Sequence, residues 1–268
     1  MDAWLILLPA FVLAVLIGAT HAYFGLHVLA RGIIFVDLAL AQVAALGASL
    51  AFLLGQESHG LAAQLYALGA ALAAAAGFAW LRRIPDKTTR EVAIGCVYVV
   101  ATALATVILS RSSQGMEELK AMLNGSILWA QWSEIARVAV VYAALAAVHA
   151  LFGKRFHALS FSPAQKQKSA LGWEFLFFAS FAVVITLAVN LAGVLMVFAF
   201  LIIPAFSAAL LAKTFGRRLV IAWGLSVAGV LAGLAMSYAA DLPTGATVVC
   251  ALGLLPVVAL MLRRVVRV

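Results

Sequence analysis

The sequence predicts an all-α, polytopic integral membrane protein with eight or nine transmembrane helices, and three observations carry that reading. Of its 268 residues, 66% are hydrophobic and only 10% charged, whereas a soluble domain holds about 45–50% apolar and 25% charged residues. The apolar residues are spread over the whole length, so no soluble catalytic domain of about 100–150 residues is hidden in the chain. It reads as one membrane domain over residues 1–268. Finally, the apolar runs recur at about 20 residues, the length a helix needs to cross the hydrocarbon with every peptide group satisfied.

Nine spans follow in order: Trp4 to Ala22, Ile34 to Leu54, Leu61 to Leu81, Val92 to Ser110, Ala136 to Phe152, Trp173 to Val189, Gly193 to Ala212, Leu219 to Ala239 and Thr247 to Leu262. The first begins after a single acidic residue, with neither the basic region nor the small-residue cleavage site of a signal peptide, and is expected to remain as a span. Only Asn190-Leu191-Ala192 separates the sixth from the seventh, and Pro204 interrupts the seventh. One of these two is therefore open to being a broken or re-entrant helix, which leaves a count of eight open as well. With nine spans, 15 of the 18 Lys and Arg residues fall on one side, against Arg111, Lys120 and Arg137 on the other. Basic loops stay in the cytoplasm, so the N-terminus is expected outside and the C-terminus inside. The net charge of +8 is then a property of those loops, not a sign of nucleic-acid binding.

Two segments are neither spans nor tight turns. Residues 111–135 place Met116, Leu119, Met122 and Leu123 at helical spacing ahead of Asn124-Gly125, which reads as one or two short interfacial helices. Residues 154–171 offer Ser162 as an N-cap and Pro163 at the first helical position, giving a short cytoplasmic helix that ends near Gly172 and suits a docking partner. Cys96 and Cys250 lie in apolar runs without CxxC spacing and read as packing residues.

Few side chains can carry chemistry. A carboxylate inside the bilayer costs at least about 2.5–3.5 kcal/mol. Asp37, at the start of the second span, either lines a cation path, favours the helix N-terminus or makes an inter-helix contact. Gln42 lies five residues on, about 140° around a helix, too far for a tight chelating pair but able to line the same cavity. His21 and His27 flank the end of the first span, and six residues apart they are not bidentate. His59, His149 and His157 are assigned surface positions. No GxSxG, HExxH, GxGxxG or GxxxxGK[ST] motif occurs. If ATP powers transport, the ATPase is another chain.

The stretch GVLMVFAFLIIPAFSAALLAKTFGRRL from Gly193, followed by Asp241-Leu242-Pro243-Thr244-Gly245, resembles the membrane permease family of the zinc, manganese and iron ABC importers. HVLARGIIFVDLALAQVAALG, Glu91 to Gly95 (EVAIG) and LNGSIL are similar to further family elements, so the likeness covers nearly the whole chain. It implies a multi-pass permease of a bacterial-type inner membrane that works as a homodimer. A cytoplasmic ABC ATPase uses the ATP, an extracytoplasmic metal-binding receptor delivers the substrate, and no nucleic acid is involved. This chain would bind no cofactor and would catalyse no reaction. Its substrate would be a divalent metal ion, zinc first, then manganese or iron. Phe161, Ser162, Pro163, Ala164 and Gln165 would couple to the ATPase; Pro204, Asp241, Pro243 and Gly245 would form a broken-helix or gating element; and Asp37, Gln42 and His21 would line the path, with Asp37 as the metal contact. Many members carry Asp and His four residues apart in the second span, whereas here Ala41 and Gln42 follow Asp37. The alternatives are a metal-chelate ABC permease and an ion-coupled secondary transporter.

Overall fold

A computed structural model describes residues 3–56, 60–111, 115, 117, 120, 125, 127–162 and 170–266. The named helices are α1 (Ala3–Arg31), α2 (Val36–Leu53), α3 (Leu61–Leu81), α4 (Lys87–Leu109), α5 (Trp132–Leu151), α6 (Gly153–Phe161), α7 (Ala170–Ala192), α8 (Val194–Leu211), α9 (Phe215–Ala240), α10 (Thr244–Gly253) and α11 (Leu255–Val266), with a 3-10 turn at Ile127–Trp129. No strand occurs among the described residues. Among the described residues, nine helical stretches are long and apolar enough to cross a bilayer, the ninth being α10 and α11 together over Thr244–Arg263, which matches the upper of the two expected counts.

The chain folds as two units: one of Met1–Leu29, Leu123–Ala144 and Asn190–Val268, the other of Ala30–Met122 and Leu145–Val189. In the second, α2 packs on α3 and α4. Lipid tails are as apolar as leucine, so what holds such helices together is close van der Waals approach between small residues. That composition is present here. The buried face of α3 is Ala63, Ala67, Ala71, Ala75 and Ala79, one alanine per turn, with Phe78 beside it. The buried face of α2 includes Ala41, Ala44, Ala45, Gly47 and Ala51. Gly47 sits so close to α3 that a β-carbon there would lie 2.5 Å from the Tyr66 carbonyl oxygen. The opposite faces expose Leu65, Val99, Val100, Leu104 and Val107, as a lipid-facing surface requires. Asp86 starts α4 by accepting hydrogen bonds from the Thr89 hydroxyl and backbone N–H, both at 2.6 Å. Those bonds, the hydroxyl's first, hold its carboxyl below the usual carboxylate range.

In the first unit, α8 is the most enclosed element, with Met196, Val197, Phe200, Leu201, Ala205 and Ala208 buried. It packs on α9, α10 and α11. Gly193 separates α7 from α8 at φ 78 and ψ 157, a region essentially confined to glycine, where a β-carbon costs about 1–3 kcal/mol. The α9–α10 corner is made by Asp241 in the left-handed region (φ 51). Ser237 Oγ donates to Leu242 O at 2.7 Å and shares a bond with Thr244 Oγ1 at 2.9 Å.

Four expectations need correction. The first helix does not stop near Ala22 but runs to Arg31, because a helix packed among others can carry polar residues that a lipid-facing one cannot. Pro204 does not break its helix; α8 continues through it. The break lies in the ninth span, where α10 ends at Gly253 and Pro256 falls in the first turn of α11, a place where its missing N–H is harmless. Within residues 154–171 the described helix is α6, which ends before Ser162, and Gly172 lies inside α7 instead of terminating a helix. Pro163, Ala164 and Gln165, like most of the interfacial segment 111–126, lie outside the described residues. Cys96 and Cys250 are exposed, not packed inside.

Candidate functional site

Asp37 is the second residue of α2 and is 1% exposed, with its Oδ1 buried and without a hydrogen-bond partner. Just before α2, Phe35 N–H donates to Glu91 Oε1 at 2.9 Å, and no side-chain hydrogen bond caps α2 from Phe35. A buried carboxylate oxygen left unpaired in a membrane helix is costly, and an arriving cation offsets that cost. Gln42 is also buried on α2.

His21 lies inside α1 and is fully buried. Its Nδ1 donates to the Ile17 carbonyl at 2.9 Å, which leaves Nε2 as the lone-pair nitrogen, buried and without a partner. That is the ring form that ligates a metal. His27, one turn and a half further on, packs against the rings of Tyr23 and Phe215, with centroids at 4.8 and 5.3 Å. Among the described residues, no three His, Cys, Asp or Glu side chains come together as a metal-binding group.

Sequence reading missed two polar arrangements. Glu174, only 5% exposed at the start of α7, accepts from Arg31 and from Arg82, the latter at 2.6 Å. Arg31 also donates to Ser160 Oγ at 2.9 Å and lies over the Phe177 ring at 3.8 Å. His149, assigned to the surface, is buried; it shares a hydrogen bond with Ser180 Oγ at 3.0 Å and stacks on Phe156. Both arrangements join residues distant in sequence, and the signal that could have found them is the position of single polar residues at span ends. Phe161 closes α6 and stacks on His157 at 4.7 Å, and Ser162 follows it as an exposed residue. Pro204 is buried within α8. Asp241, Pro243 and Gly245 form the α9–α10 corner and the first turn of α10.

A family model described as the ABC 3 transport family matches residues 4–263. The chain belongs to the ABC 3 transport family. Relatives agree. The "Manganese transport system membrane protein MntC" of Listeria monocytogenes is 25% identical, over 90% of this chain and 84% of the relative. The "Probable iron transport system membrane protein" of Haemophilus influenzae is 26% identical, over 95% of this chain and 89% of the relative. Among solved structures, a chain of PsaBC from Streptococcus pneumoniae, determined in complex with Fab, superposes with a TM-score of 0.77 at 20% identity, covering 95% of this chain and 90% of that one. For this ABC 3 family chain the superposition shows the fold, an all-helical one with multiple spans.

Proposed function

We propose that the chain is the permease subunit of an ATP-driven importer for divalent metal ions. The observation that carries this is Asp37: an enclosed carboxylate with an unpartnered oxygen, at the start of a span, in a member of a transport family. A negative oxygen in that setting offsets part of the dehydration cost of a passing cation. Gln42, on the same helix, is a further donor that we place along the path, and we propose His21 Nε2 as a metal-ligating nitrogen within the first unit. The relatives' names support manganese or iron ahead of zinc as the cargo.

The absence of any GxxxxGK[ST] motif supports a separate ATPase as the source of energy. A homodimer forms the pathway, the ATPase docks on the cytoplasmic side at Phe161 to Gln165, and a metal-binding receptor docks outside. The basic residues of the loops support a cytoplasmic C-terminus in an inner membrane. We assign the Pro204 helix and the Asp241-Leu242-Pro243-Thr244-Gly245 corner to gating. The one permease domain thus comprises both units. An ion-coupled secondary transporter is the weaker reading, since it ordinarily needs carboxylates in corresponding positions of internal repeats.

The test is uptake of radiolabelled manganese, iron and zinc by cells that lack their own high-affinity metal importers and express the chain with its ATPase and receptor. Saturable uptake of at least one of these ions supports the reading. Uptake of none, with the complex assembled, contradicts it.

A further inference from the structure

The unit holding α2 to α4 contains a polar cavity of about 250 Å³ where the ends of α1, α3, α4, α6 and α7 meet. Four cations line it, Arg31, Arg82, Lys87 and Arg90, against one carboxylate, Glu174. That carboxylate is already committed, one oxygen to Arg31 and the other to Arg82. Asp86 and Glu91, the acids next to Lys87 and Arg90 in the sequence, do not line the space: Asp86 lies near Arg90 but spends Oδ2 on Thr89, and Glu91 Oε1 accepts from Phe35 N–H. Lys87 and Arg90 form no ion pair among the described residues, and the Arg90 Nε is buried without a hydrogen-bond partner. The cavity thus carries a surplus of positive charge and an unused buried donor. Its remaining wall is apolar, including Phe78, Ile94 and Phe178.

Its depth in the membrane is marked by Trp80. That indole is 53% exposed in the last turn of α3, with the Arg83 guanidinium over its ring at 5.8 Å. Exposed tryptophans collect at headgroup level, so the cavity opens where lipid phosphates lie. We propose that it is a binding site for a phosphate-bearing anion, supplied by the leaflet as an anionic phospholipid headgroup. Lys87 and Arg90 hold the phosphate, and the acyl chains lie along the apolar surface of α3 and α4. Basic pockets between spans on the cytoplasmic side recognise lipid headgroups in this way. Ser160 of α6 is also in the wall, so an occupied site touches the helix that leads into the ATPase-docking segment. That last link, and the assignment of the leaflet as cytoplasmic, rest on the proposed function; the site itself does not.

Native mass spectrometry of the purified full-length chain tests it, with phosphatidylglycerol, phosphatidylcholine and inorganic phosphate as separate probes. Phosphatidylglycerol is expected to bind about tenfold more tightly than phosphatidylcholine. Lys87→Gln with Arg90→Gln should remove that preference, Arg90→Lys should retain most of it, and Lys213→Gln in another basic loop should leave it unchanged. Displacement of lipid by inorganic phosphate, or phosphate binding alone that is lost in the double variant, supports the site and identifies free anion as a source. Equal binding of the two lipids, or a preference that survives the double variant, overturns it. Metal uptake is not read in this experiment, so its failure leaves the transport reading standing, and the converse holds.

Discussion

Asp37 separates two roles that a carboxylate at a helix start can play. Glu91 accepts from Phe35 N–H just before α2, and Asn keeps the shape and hydrogen-bonding oxygen of Asp, so Asp37→Asn removes little besides the charge. We expect metal uptake by the assembled complex to fall at least tenfold at equal protein level, while the detergent-solubilised melting temperature changes little. Uptake at the wild-type rate would end its place in the path. Glu174 makes the opposite forecast. Glu174→Gln leaves the Arg31 and Arg82 guanidinium groups without their shared counter-charge in a site where Glu174 is 5% exposed. Removing one partner of a buried pair costs about 3–5 kcal/mol, so this variant should melt well below wild type, as seen in a fluorescence-detected thermal scan. An unchanged scan would show that the triad does not support the fold. Asp37 was legible from sequence because it stands alone in an apolar run. Glu174 was not, since Arg31 and Glu174 are 143 positions apart and each reads as an ordinary charge at the end of a span.

Among the elements, the α2–α3 pair holds Asp37's helix in place through small residues. Gly47→Val should force the two helices apart, because its β-carbon meets the Tyr66 backbone. Overpacking of this kind costs about 1–3 kcal/mol, and a lowered melting temperature together with reduced uptake is the expected result. Retention of both would mean that the helices slide past the clash at no cost. Phe161 ends α6 beside the proposed docking segment. Phe161→Ala should weaken co-purification of the ATPase while the permease still reaches the membrane, and undiminished capture would remove α6 from the interface. Hydropathy located all nine spans because lipid demands long apolar helices whatever their packing. It misjudged the end of α1, since THAYFGLHVLARG is too polar to face lipid, yet His21 and His27 lie inside the protein where polar atoms are tolerated. The sequence left a break in the sixth or seventh span open, whereas the break falls after Gly253. A proline alone is absorbed by an enclosed helix such as α8, whereas Gly253 followed by Leu254, Leu255 and Pro256 ends one helix and starts the next.

At the scale of the whole molecule, the chain is an all-helical membrane protein with nine candidate spans among its described residues and a family membership that covers residues 4–263. It carries no GxxxxGK[ST] motif, and the proposed import therefore draws its energy from another subunit. The direct measurement is metal accumulation in proteoliposomes containing the chain, its ATPase and its receptor, with ATP supplied on the ATPase side and ionophores present to collapse every ion gradient. We expect accumulation that needs ATP and the ATPase and is indifferent to the ionophores. Accumulation without the ATPase, driven by a proton or sodium gradient and abolished by the ionophores, would contradict it.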